Sequence, residues 1–291
     1  MIQGSLTALI TPFRDGIVDE QAFIALVERQ IASGTHGLVP CGTTGESPTL
    51  SHAEHRRVVE LCVKTAAGRV PVVAGAGSNS TDESVDLVRH AKAVGAEAAL
   101  VATGYYNKPS QAGLIAHFRT LSEAVDLPLI VYNVPGRTIV DISVDTLGAL
   151  SRLKNVAGVK DATGELDRVG NHRRLCGEDF ILLSGDDGSA LGFNALGGTG
   201  CISVTSNVAP ALCAQMQEAS LKGDYAAARA INDKLASLHT TLFCEPSPAP
   251  IKYACSLLGL CTEDVRLPLL PMTEEGKAKV RAAMKLAGLP V

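Results

Sequence analysis

The sequence has no apolar stretch that approaches the roughly 20 residues needed to cross a bilayer, so we expect no membrane span. Its first residues, MIQGSLTALITPF, lack the basic start, long apolar core and cleavage site of a secretory signal. Basic residues are not in excess either, because 26 Lys and Arg stand against 30 Asp and Glu, with a net charge of −4. The basic stripe that would bind nucleic-acid phosphates is therefore missing. We expect a cytoplasmic protein that binds neither membranes nor nucleic acid.

Paired metal-ligand motifs and phosphate-binding motifs are also missing. The eight cysteines form no CxxC pair and mostly have apolar neighbours, so we expect reduced thiols in the core. Only His52 and His55 are close together among the seven histidines, and no third ligand follows at a spacing usual for structural zinc. The glycine-rich turn GTTG at 42–45 has neither the GKS or GKT ending of a P-loop nor the GxGxxG spacing of a dinucleotide site. We expect no metal site.

The sequence does contain a repeated alternation of short apolar runs and amphipathic segments. The runs recur roughly every 20 to 33 residues. They are LTALIT (6–11), GLVPC (37–41), PVVAG (71–75), AALVAT (98–103), PLIVYN (128–133), VAGVK (156–160), ILLSG (181–185) and GCISV (200–204). The segments between them carry apolar residues three and four positions apart, which is typical of helices. Eight strands alternating with helices predict an α/β fold, a (β/α)8 TIM barrel.

The alternation stops after residue 209, where the remaining segments indicate helices only, interrupted by the proline-rich EPSPAP. We therefore predict that residues 1–225 form the barrel and that residues 226–291 form a C-terminal helical extension.

Lys160 stands at the end of the sixth apolar run. A lysine at a strand end is most often a solvated residue whose stem covers apolar neighbours. Here, however, polar groups follow several predicted strands, and barrel enzymes collect their reactive groups at these ends. They are Tyr132-Asn133, GTTGES (42–47), Tyr105-Tyr106 and Gly185-Asp186-Asp187. The two threonines of GTTG supply donors suited to a carboxylate, so the pattern favours a site for a small keto acid.

Five motifs in this order resemble those of the dihydrodipicolinate synthase family, a lysine-pathway branch of the pyruvate-dependent class I aldolases. They are GTTGES (42–47), YYNKPS (105–110), YNVPGRT (132–138), GVKDATG (158–164) and SGDD (184–187). The likeness covers the whole chain. It implies condensation of pyruvate with L-aspartate 4-semialdehyde to 4-hydroxy-tetrahydrodipicolinate. It also implies an imine between pyruvate and Lys160 in place of a cofactor, and a homotetramer made of two tight dimers.

The resemblance further implies a role for each matching residue. Lys160 would attack the ketone, which requires a neutral amine. Tyr132 would be the central acid and base, Thr44 would connect it onward, and Tyr106 would complete the proton relay from the neighbouring subunit.

Four more positions would bind substrate by the same resemblance. Thr43 would hold the pyruvate carboxylate, and Gly185 and Ile202 would line the site mainly through their backbone. Arg137 would hold the carboxylate of the semialdehyde, where its planar fork suits two oxygens.

A further set matches the lysine-binding site of feedback-sensitive members and would make L-lysine an inhibitor. It comprises Ser47, Pro48, His52, His55, Asn79, Glu83 and Tyr105, with Pro48 divergent. A structural interpretation stays open for some of them, because Ser80-x-x-Glu83 can be a capping box and the two histidines a solvated helix face.

Two residues depart from the family pattern. Gly104 replaces a frequent proline before the paired tyrosines, from which we expect a looser loop around Tyr106. Asp161 replaces a frequent glutamate after the lysine, from which we expect altered packing outside the reacting atoms.

Other functions stay open on the sequence. An N-acetylneuraminate lyase or a 2-keto-3-deoxy sugar acid aldolase would keep Lys160 and Tyr132, and only Arg137 separates these aldolases from the synthase pattern. A catalytically silent keto-acid sensor is opposed by the intact set of reactive residues. A metal-dependent aldolase would use Asp186, Asp187 and histidines, would lose its activity with a chelator and would survive loss of Lys160.

Overall fold

The computed structural model describes residues 2–291 and contains one sheet of eight parallel strands. In chain order they are β1 (Gly4–Ala8), β2 (Gly37–Val39), β3 (Val73–Gly75), β4 (Ala98–Ala102), β5 (Leu129–Asn133), β6 (Val156–Asp161), β7 (Ile181–Ser184) and β8 (Gly200–Ser203). The spatial order is β2-β1-β8-β7-β6-β5-β4-β3, and a parallel bridge between Leu38 and Val72 joins the two outer strands. The predicted (β/α)8 barrel is confirmed.

Helices follow every strand. They are α1 (Glu20–Ala32), α2 (His52–Ala66), α3 (Thr81–Val94), α4 (Gln111–Ala124), α5 (Pro135–Thr138), α6 (Val144–Leu150), α7 (Arg168–Cys176), α8 (Ala190–Ala195), α9 (Pro210–Leu221), α10 (Tyr225–Thr241), α11 (Ala249–Leu257) and α12 (Glu274–Leu286). Helices α1–α4 follow β1–β4 and α6–α9 follow β5–β8, while α5 is a single extra turn. Within residues 2–291, no helix is both long and apolar enough to cross a membrane.

The C-terminal helices α10–α12 share an apolar cluster with the interior of the barrel. Leu235 and Ile251 from these helices belong to the same buried cluster as Leu6 and Ile202 from the strands. Helix α10 begins at Tyr225, next to the predicted boundary. The division into residues 1–225 and 226–291 stays a prediction.

Alternation along β6 decides which of its side chains face the inside of the barrel. Val159 belongs to the outer apolar cluster, between strands and helices, together with Val131 and Leu182 of the neighbouring strands. Because successive side chains of a strand point to opposite faces, Lys160 faces inward on the same side as Tyr132. The strand therefore delivers the lysine to the C-terminal mouth of the barrel.

The exact strand ends differ from the apolar runs. The first strand is found at Gly4–Ala8 rather than 6–11, and beyond it the Ile10 N–H donates to the side chain of Asn207 instead of a neighbouring strand. The second ends at Val39 because Pro40 has no N–H for the ladder.

A short hairpin was also missed. Phe13–Arg14 pairs antiparallel with Ile17–Val18, and Asp15 and Gly16 between them have φ of 53° and 80°. Positive φ at both central residues is the requirement of a type I′ turn, for which Asp-Gly is a preferred sequence. That dipeptide was the available signal.

Candidate active site

Lys160 and Tyr132 are direct neighbours on adjacent strands. They occupy paired positions of β6 and β5, and the Lys160 Nζ lies 4.1 Å from the centroid of the Tyr132 ring. Both side chains are buried, with 5% and 7% of their surface exposed. Within residues 2–291, no carboxylate oxygen lies within ion-pairing distance of the Lys160 amine. The lysine is thus held by packing against an aromatic ring rather than by an acid.

Gly185 leaves the space that the lysine stem occupies. A Cβ built on Gly185 would lie 2.9 Å from the Lys160 Cε and 2.7 Å from the Ala162 Cβ. Its N–H donates to the carbonyl of Asp161 at 2.6 Å, which holds the end of β7 against β6. Ile202, fully buried on β8, lies on the same inner face of the sheet. The two residues predicted to line the site are therefore on the strands that follow Lys160 around the barrel.

The GTTGES turn connects β2 to a short 3₁₀ helix, Ser47–Thr49. Its backbone folds on itself, with the N–H of Glu46 donating to the carbonyl of Thr43 at 3.1 Å. Thr44 is buried, and Thr43 lines the cleft described below. Within the described part of the chain, neither threonine hydroxyl has a hydrogen-bond partner. Both hydroxyls are free to contact a substrate or another residue.

No role was predicted from the sequence for Glu46 of this turn or for its two cationic partners, Lys252 and Arg266. Glu46 has a left-handed backbone with φ of 55°, and its carboxylate forms an ion pair with the Lys252 Nζ at 2.5 Å and accepts from the Arg266 backbone N–H at 3.0 Å. Lys252 is fully buried and also lies 3.9 Å from the centroid of the Phe13 ring. A charged residue alone in an apolar helix, APIKYACSL, was the signal that could have identified it. We call Glu46, Lys252, Arg266 and Phe13 the anchor.

Tyr105 and Tyr106 lie on the loop after β4. Tyr105 lines the cleft, whereas Tyr106 has a positive φ of 69° and 91% of its side chain exposed. The Tyr132 hydroxyl has no hydrogen-bond partner within residues 2–291, so one chain does not assemble the predicted relay. The loop is tied down where the Asn107 side chain donates to the carbonyl of Asn79 at 2.9 Å. A Cβ on Gly104 would lie 3.2 Å from Pro109 Cγ, so this glycine is closely packed.

Arg137 lies on the single-turn helix α5 and is exposed along the cleft. In the part of the chain that the structure describes, its guanidinium has no carboxylate partner. A free guanidinium in the cleft that Tyr132 also lines is suited to bind a carboxylate with two parallel hydrogen bonds.

One cleft of about 370 Å³ is lined by three of the predicted catalytic and substrate-binding residues and by most of the predicted lysine site, whereas Lys160, Thr44, Tyr106, Gly185 and Ile202 are not part of its lining. Thr43, Tyr132 and Arg137 line it, and so do six of the seven residues of the predicted lysine site. These six are Ser47, Pro48, His52, His55, Glu83 and Tyr105. Asn79 does not line the cleft, although its carbonyl holds the tyrosine loop. Residues of the two sets line the same cleft even though their predicted roles differ.

Glu83 and His55 differ in charge within this cleft. The Ser78 hydroxyl donates to Glu83, whose other oxygen lies 2.6 Å from His52 Nε2, and these contacts lower the pKa of Glu83. Burial lowers the pKa of His55 to about 4, so this imidazole is neutral at neutral pH. A solvated helix face is thus wrong for His55, while His52 is exposed. Ser80 does accept from the Glu83 N–H, but the Glu83 side chain points elsewhere, so the capping box is only half formed.

The acidic residues after Lys160 and Gly185 serve local structure. Asp161 is buried, and its carboxylate accepts from the Thr163 N–H at 2.8 Å. Asp187 accepts from the N–H groups of Val204 and Thr205, and so fixes the end of β8. Among residues 2–291 there is no group of three or more histidine, cysteine or acidic side chains that could hold a metal. All eight cysteines are free.

Comparison with known proteins agrees with the motifs. The sequence model described as the Dihydrodipicolinate synthetase family matches residues 1–287. A curated relative from Parvibaculum lavamentivorans, named 4-hydroxy-tetrahydrodipicolinate synthase, is 63% identical over 289 residues, which is 99% of each chain.

Solved structures give the same result. Dihydrodipicolinate synthase from Aquifex aeolicus is 47% identical with a TM-score of 0.97, covering 100% of this chain and 99% of its own. The Acinetobacter baumannii enzyme complexed with pyruvate is 44% identical with a TM-score of 0.97, covering 99% and 100%. The Cyanidioschyzon merolae enzyme with lysine bound is 36% identical with a TM-score of 0.95, covering 99% and 98%. The chain therefore belongs to the dihydrodipicolinate synthetase family, and it is a lyase-type enzyme of lysine and diaminopimelate biosynthesis.

Proposed function

We propose that the protein condenses pyruvate with L-aspartate 4-semialdehyde through an imine on Lys160. The observation that carries this proposal is the buried amine of Lys160, which lies against Tyr132 without an acid partner. A lysine paired with a carboxylate would need to break that pair before attacking a ketone, and Lys160 has no such pair to break. The relative from Acinetobacter baumannii was solved with pyruvate, which supports this substrate.

The chemistry follows from these groups. The Lys160 Nζ attacks the keto carbon of pyruvate, and loss of one water leaves an imine. The protonated imine accepts electrons when the methyl group loses a proton, and the resulting enamine forms a carbon–carbon bond to the aldehyde of the semialdehyde. The amino group of that substrate then attacks the imine carbon, closes the ring and releases the free lysine. The product is 4-hydroxy-tetrahydrodipicolinate, with one water released in all.

Proton transfers in this sequence are assigned to Tyr132, Thr44 and Tyr106. The Tyr132 ring lies against the Lys160 amine, and Thr44 is buried with a hydroxyl that has no hydrogen-bond partner within residues 2–291. Tyr106 is exposed in one chain, which is consistent with a place in the site of a second subunit. On this basis the active unit is a tight dimer, and two such dimers form the proposed homotetramer.

Substrate carboxylates are assigned to Thr43 and Arg137. Thr43 offers a hydroxyl on the cleft wall for pyruvate, and Arg137 offers an unpaired guanidinium for the semialdehyde. Gly185 and Ile202 close the inner side of the site. No metal or external cofactor is required by this route.

We also infer that L-lysine inhibits the enzyme from the same cleft. Glu83 supplies an anion for an ammonium group, and Tyr105 adjoins Tyr106, so ordering of one ring can displace the other. The relative from Cyanidioschyzon merolae was solved with lysine bound, which supports this ligand. Pro48 still offers its carbonyl as an acceptor.

One assay tests the proposed reaction. Purified protein is incubated with pyruvate and either L-aspartate 4-semialdehyde or N-acetylmannosamine, and pyruvate consumption is followed. We expect consumption with the semialdehyde only, because Arg137 suits its carboxylate. Turnover with the sugar alone would instead assign an N-acetylneuraminate lyase, and turnover with neither would contradict both functions.

A further inference from the structure

Arg168 is a nearly buried cation at an unfavourable position. It is the first residue of α7, where the helix dipole disfavours a positive charge, and only 8% of it is exposed. Burying a guanidinium there costs free energy unless specific partners satisfy it. The contacts of Arg168 therefore indicate what it does.

Those contacts join two other segments to α7. Arg168 Nη1 donates to both carboxylate oxygens of Asp141, at 2.9 and 3.0 Å. Its Nη2 donates to the carbonyl of Ile142 at 2.5 Å, and its Nε lies 3.7 Å from the Asp161 carboxylate. One side chain thus links the start of α7, the end of β6 and the loop before α6.

Each partner is one or two covalent or hydrogen-bonded steps from a residue of the proposed active site. Asp161 directly follows Lys160 in β6. Asp141 accepts from the side chain of Asn133 at 2.7 Å, and Asn133 directly follows Tyr132 in β5.

The loop that carries Arg137 is fixed in the same way. This loop, 134–142, ends at Asp141 and Ile142, which are the two residues that Arg168 contacts. The Ile142 N–H also donates to the Asn133 side chain at 3.1 Å. Both ends of the loop are therefore tied to the mouth of the barrel, and Arg137 projects from between them.

We propose that Arg168 is a positioning residue that sets the relative placement of Lys160, Tyr132 and Arg137. The proposal rests on the function proposed above. Strand pairing fixes the backbone of Lys160 and Tyr132, but both are at strand ends, where pairing alone leaves the chain free to fray. Arg168 and Asp141 hold the two residues that come next. Because a displacement of about 1 Å can reduce a rate about 10²-fold, this restraint has a catalytic consequence.

The test compares Arg168→Met and Arg168→Lys with the parent enzyme. The readouts are kcat, the KM of each substrate, the rate at which borohydride traps pyruvate on Lys160, and the folded fraction by circular dichroism. For Arg168→Met we expect kcat to fall about 10²-fold. We expect the KM of the semialdehyde to rise about tenfold, and more than that of pyruvate, because the Arg137 loop loses its restraint.

Arg168→Lys separates positioning from charge. Its ammonium can reach Asp141 but cannot also serve the Ile142 carbonyl with the same geometry. We therefore expect partial recovery of kcat and of the trapping rate, with the KM of the semialdehyde still raised.

The matched control is Arg69→Met. Arg69 binds the Glu28 carboxylate with two donors and the Thr65 carbonyl with another, but it lies after α2, at the end of the barrel remote from the strand termini that form the site. We expect its kinetic constants to equal those of the parent.

Two results would overturn the proposal. One is an Arg168→Met enzyme with parental kinetics. The other is a loss of activity that merely follows the folded fraction, with the KM values unchanged in both Arg168 variants. If Arg168→Met does not fold, Arg168→Lys decides alone. A parent that traps pyruvate but does not condense it with the semialdehyde would contradict the proposed reaction only, and the trapping rates would still judge Arg168.

Discussion

Two buried lysines near the mouth of the barrel have opposite surroundings. Lys160 packs on the Tyr132 ring and has no carboxylate beside it, whereas the Lys252 Nζ lies 2.5 Å from Glu46 and donates to the Asp264 carbonyl at 2.7 Å. Burial lowers the pKa of Lys252 and Glu46 opposes that change. Burial alone therefore does not make a lysine a nucleophile, since the partner decides whether the amine is available.

The same difference extends to the groups around each lysine. On the side of Lys160, Arg137 of the cleft wall and the buried Thr44 have side chains without partners in the described chain. In the anchor, the guanidinium of Arg266 donates through two nitrogens to the Glu54 carboxylate. It also donates to the carbonyl of Thr49, the last residue of the 3₁₀ helix, and so holds that helix in place. The unpaired polar groups around Lys160 are available to bind substrate. The paired groups of the anchor instead fix the backbone of the turn that carries Thr43 and Thr44. Substitutions in the two regions should therefore have different first effects.

The largest effect is expected from Lys160→Met. Without its amine no imine can form, so borohydride should trap no pyruvate, and turnover should be lost. Folding should be preserved, because methionine fills a similar volume and no ion pair is broken. Mass spectrometry of the trapped protein measures the first outcome, and thermal unfolding measures the second. A pyruvate adduct on any other lysine, Lys252 included, would disprove the assignment.

The matched substitution Lys252→Met should act on stability first. It leaves the Glu46 carboxylate buried without its partner, which typically costs about 3 to 5 kcal/mol. Adding Glu46→Gln should recover part of this loss, since the unpaired charge is removed. Urea unfolding at fixed protein concentration measures both.

The control for this substitution is Lys279→Met. Lys279 pairs with Glu275 at 2.7 Å on the surface, where both side chains are mostly exposed. An exposed pair is worth at most about 1 kcal/mol. Equal losses from the two lysines would mean that the anchor contributes no more than a surface ion pair.

The barrel could be predicted because its signals are local, since apolar runs of strand length mark β1 to β8. Lys160 ends one such run and Tyr132 is the last residue but one of another, but their roles stay predictions that rest on the family motifs. The anchor could not be predicted, because Glu46 and Lys252 are far apart in the chain and only the fold brings them together. The network of Arg168 was missed for the same reason, since nothing in its own segment marks it as a partner of Asp141.

The sequence also did not predict which side chains of a helix point towards the barrel. His52 and His55 are three positions apart on α2 and were treated alike, yet one is exposed and the other is buried. Which of them faces β3 depends on how α2 packs on the barrel. Spacing within a helix does not determine that.

The next largest effect is expected on the pH dependence of stability, through His55. This residue lines the cleft but is buried, as the residues of the anchor are. Its pKa is about 4 in the folded protein, below the usual 6.5, and burial is the cause. Between pH 4 and 6.5 the unfolded chain binds more protons, so stability should fall as the pH falls through this range, by about 3 kcal/mol in all. Above pH 6.5 the contribution is constant.

Unfolding at pH 5 to 7 measures this slope in the parent and in His55→Gln, which should keep only the part contributed by His36, His117 and His172, because burial lowers their pKa values as well. This range also excludes a contribution from Glu54. Its pKa is lowered to about 2, mainly by the hydrogen bond from Arg266, so Glu54 changes the pH dependence of stability only below about pH 4.5. His52→Gln, at an exposed position of the same helix, is the control. An unchanged slope in His55→Gln would assign the pH dependence to another group.

Tyr106→Phe should reduce turnover by about 10²-fold, as expected for loss of one group of a proton relay. Because Tyr106 is 91% exposed in the single chain, the proposed relay needs it from a second subunit. Mixing Tyr106→Phe with Tyr132→Phe subunits should then restore some activity, because one site of the hybrid dimer is intact. Activity that stays at the level of the separate variants would place both tyrosines within one chain or outside the relay.

The smallest effect is expected from Glu83→Ala, which lies in the cleft but is partly paired. The Ser78 hydroxyl, assisted by His52, keeps the Glu83 pKa low, so a full carboxylate faces the cleft at neutral pH. That charge is the one we assign to the ammonium of an inhibiting L-lysine. A coupling of about 1 to 3 kcal/mol corresponds to about 5- to 150-fold inhibition, and Glu83→Ala should abolish most of it. The measurement is an activity titration with L-lysine, relative to the uninhibited rate of each enzyme.

The control is Asp82→Ala, which removes an exposed carboxylate from the adjacent position of α3 and should leave the inhibition by L-lysine intact. Undiminished inhibition in Glu83→Ala, or equal losses in both variants, would remove Glu83 from the lysine site.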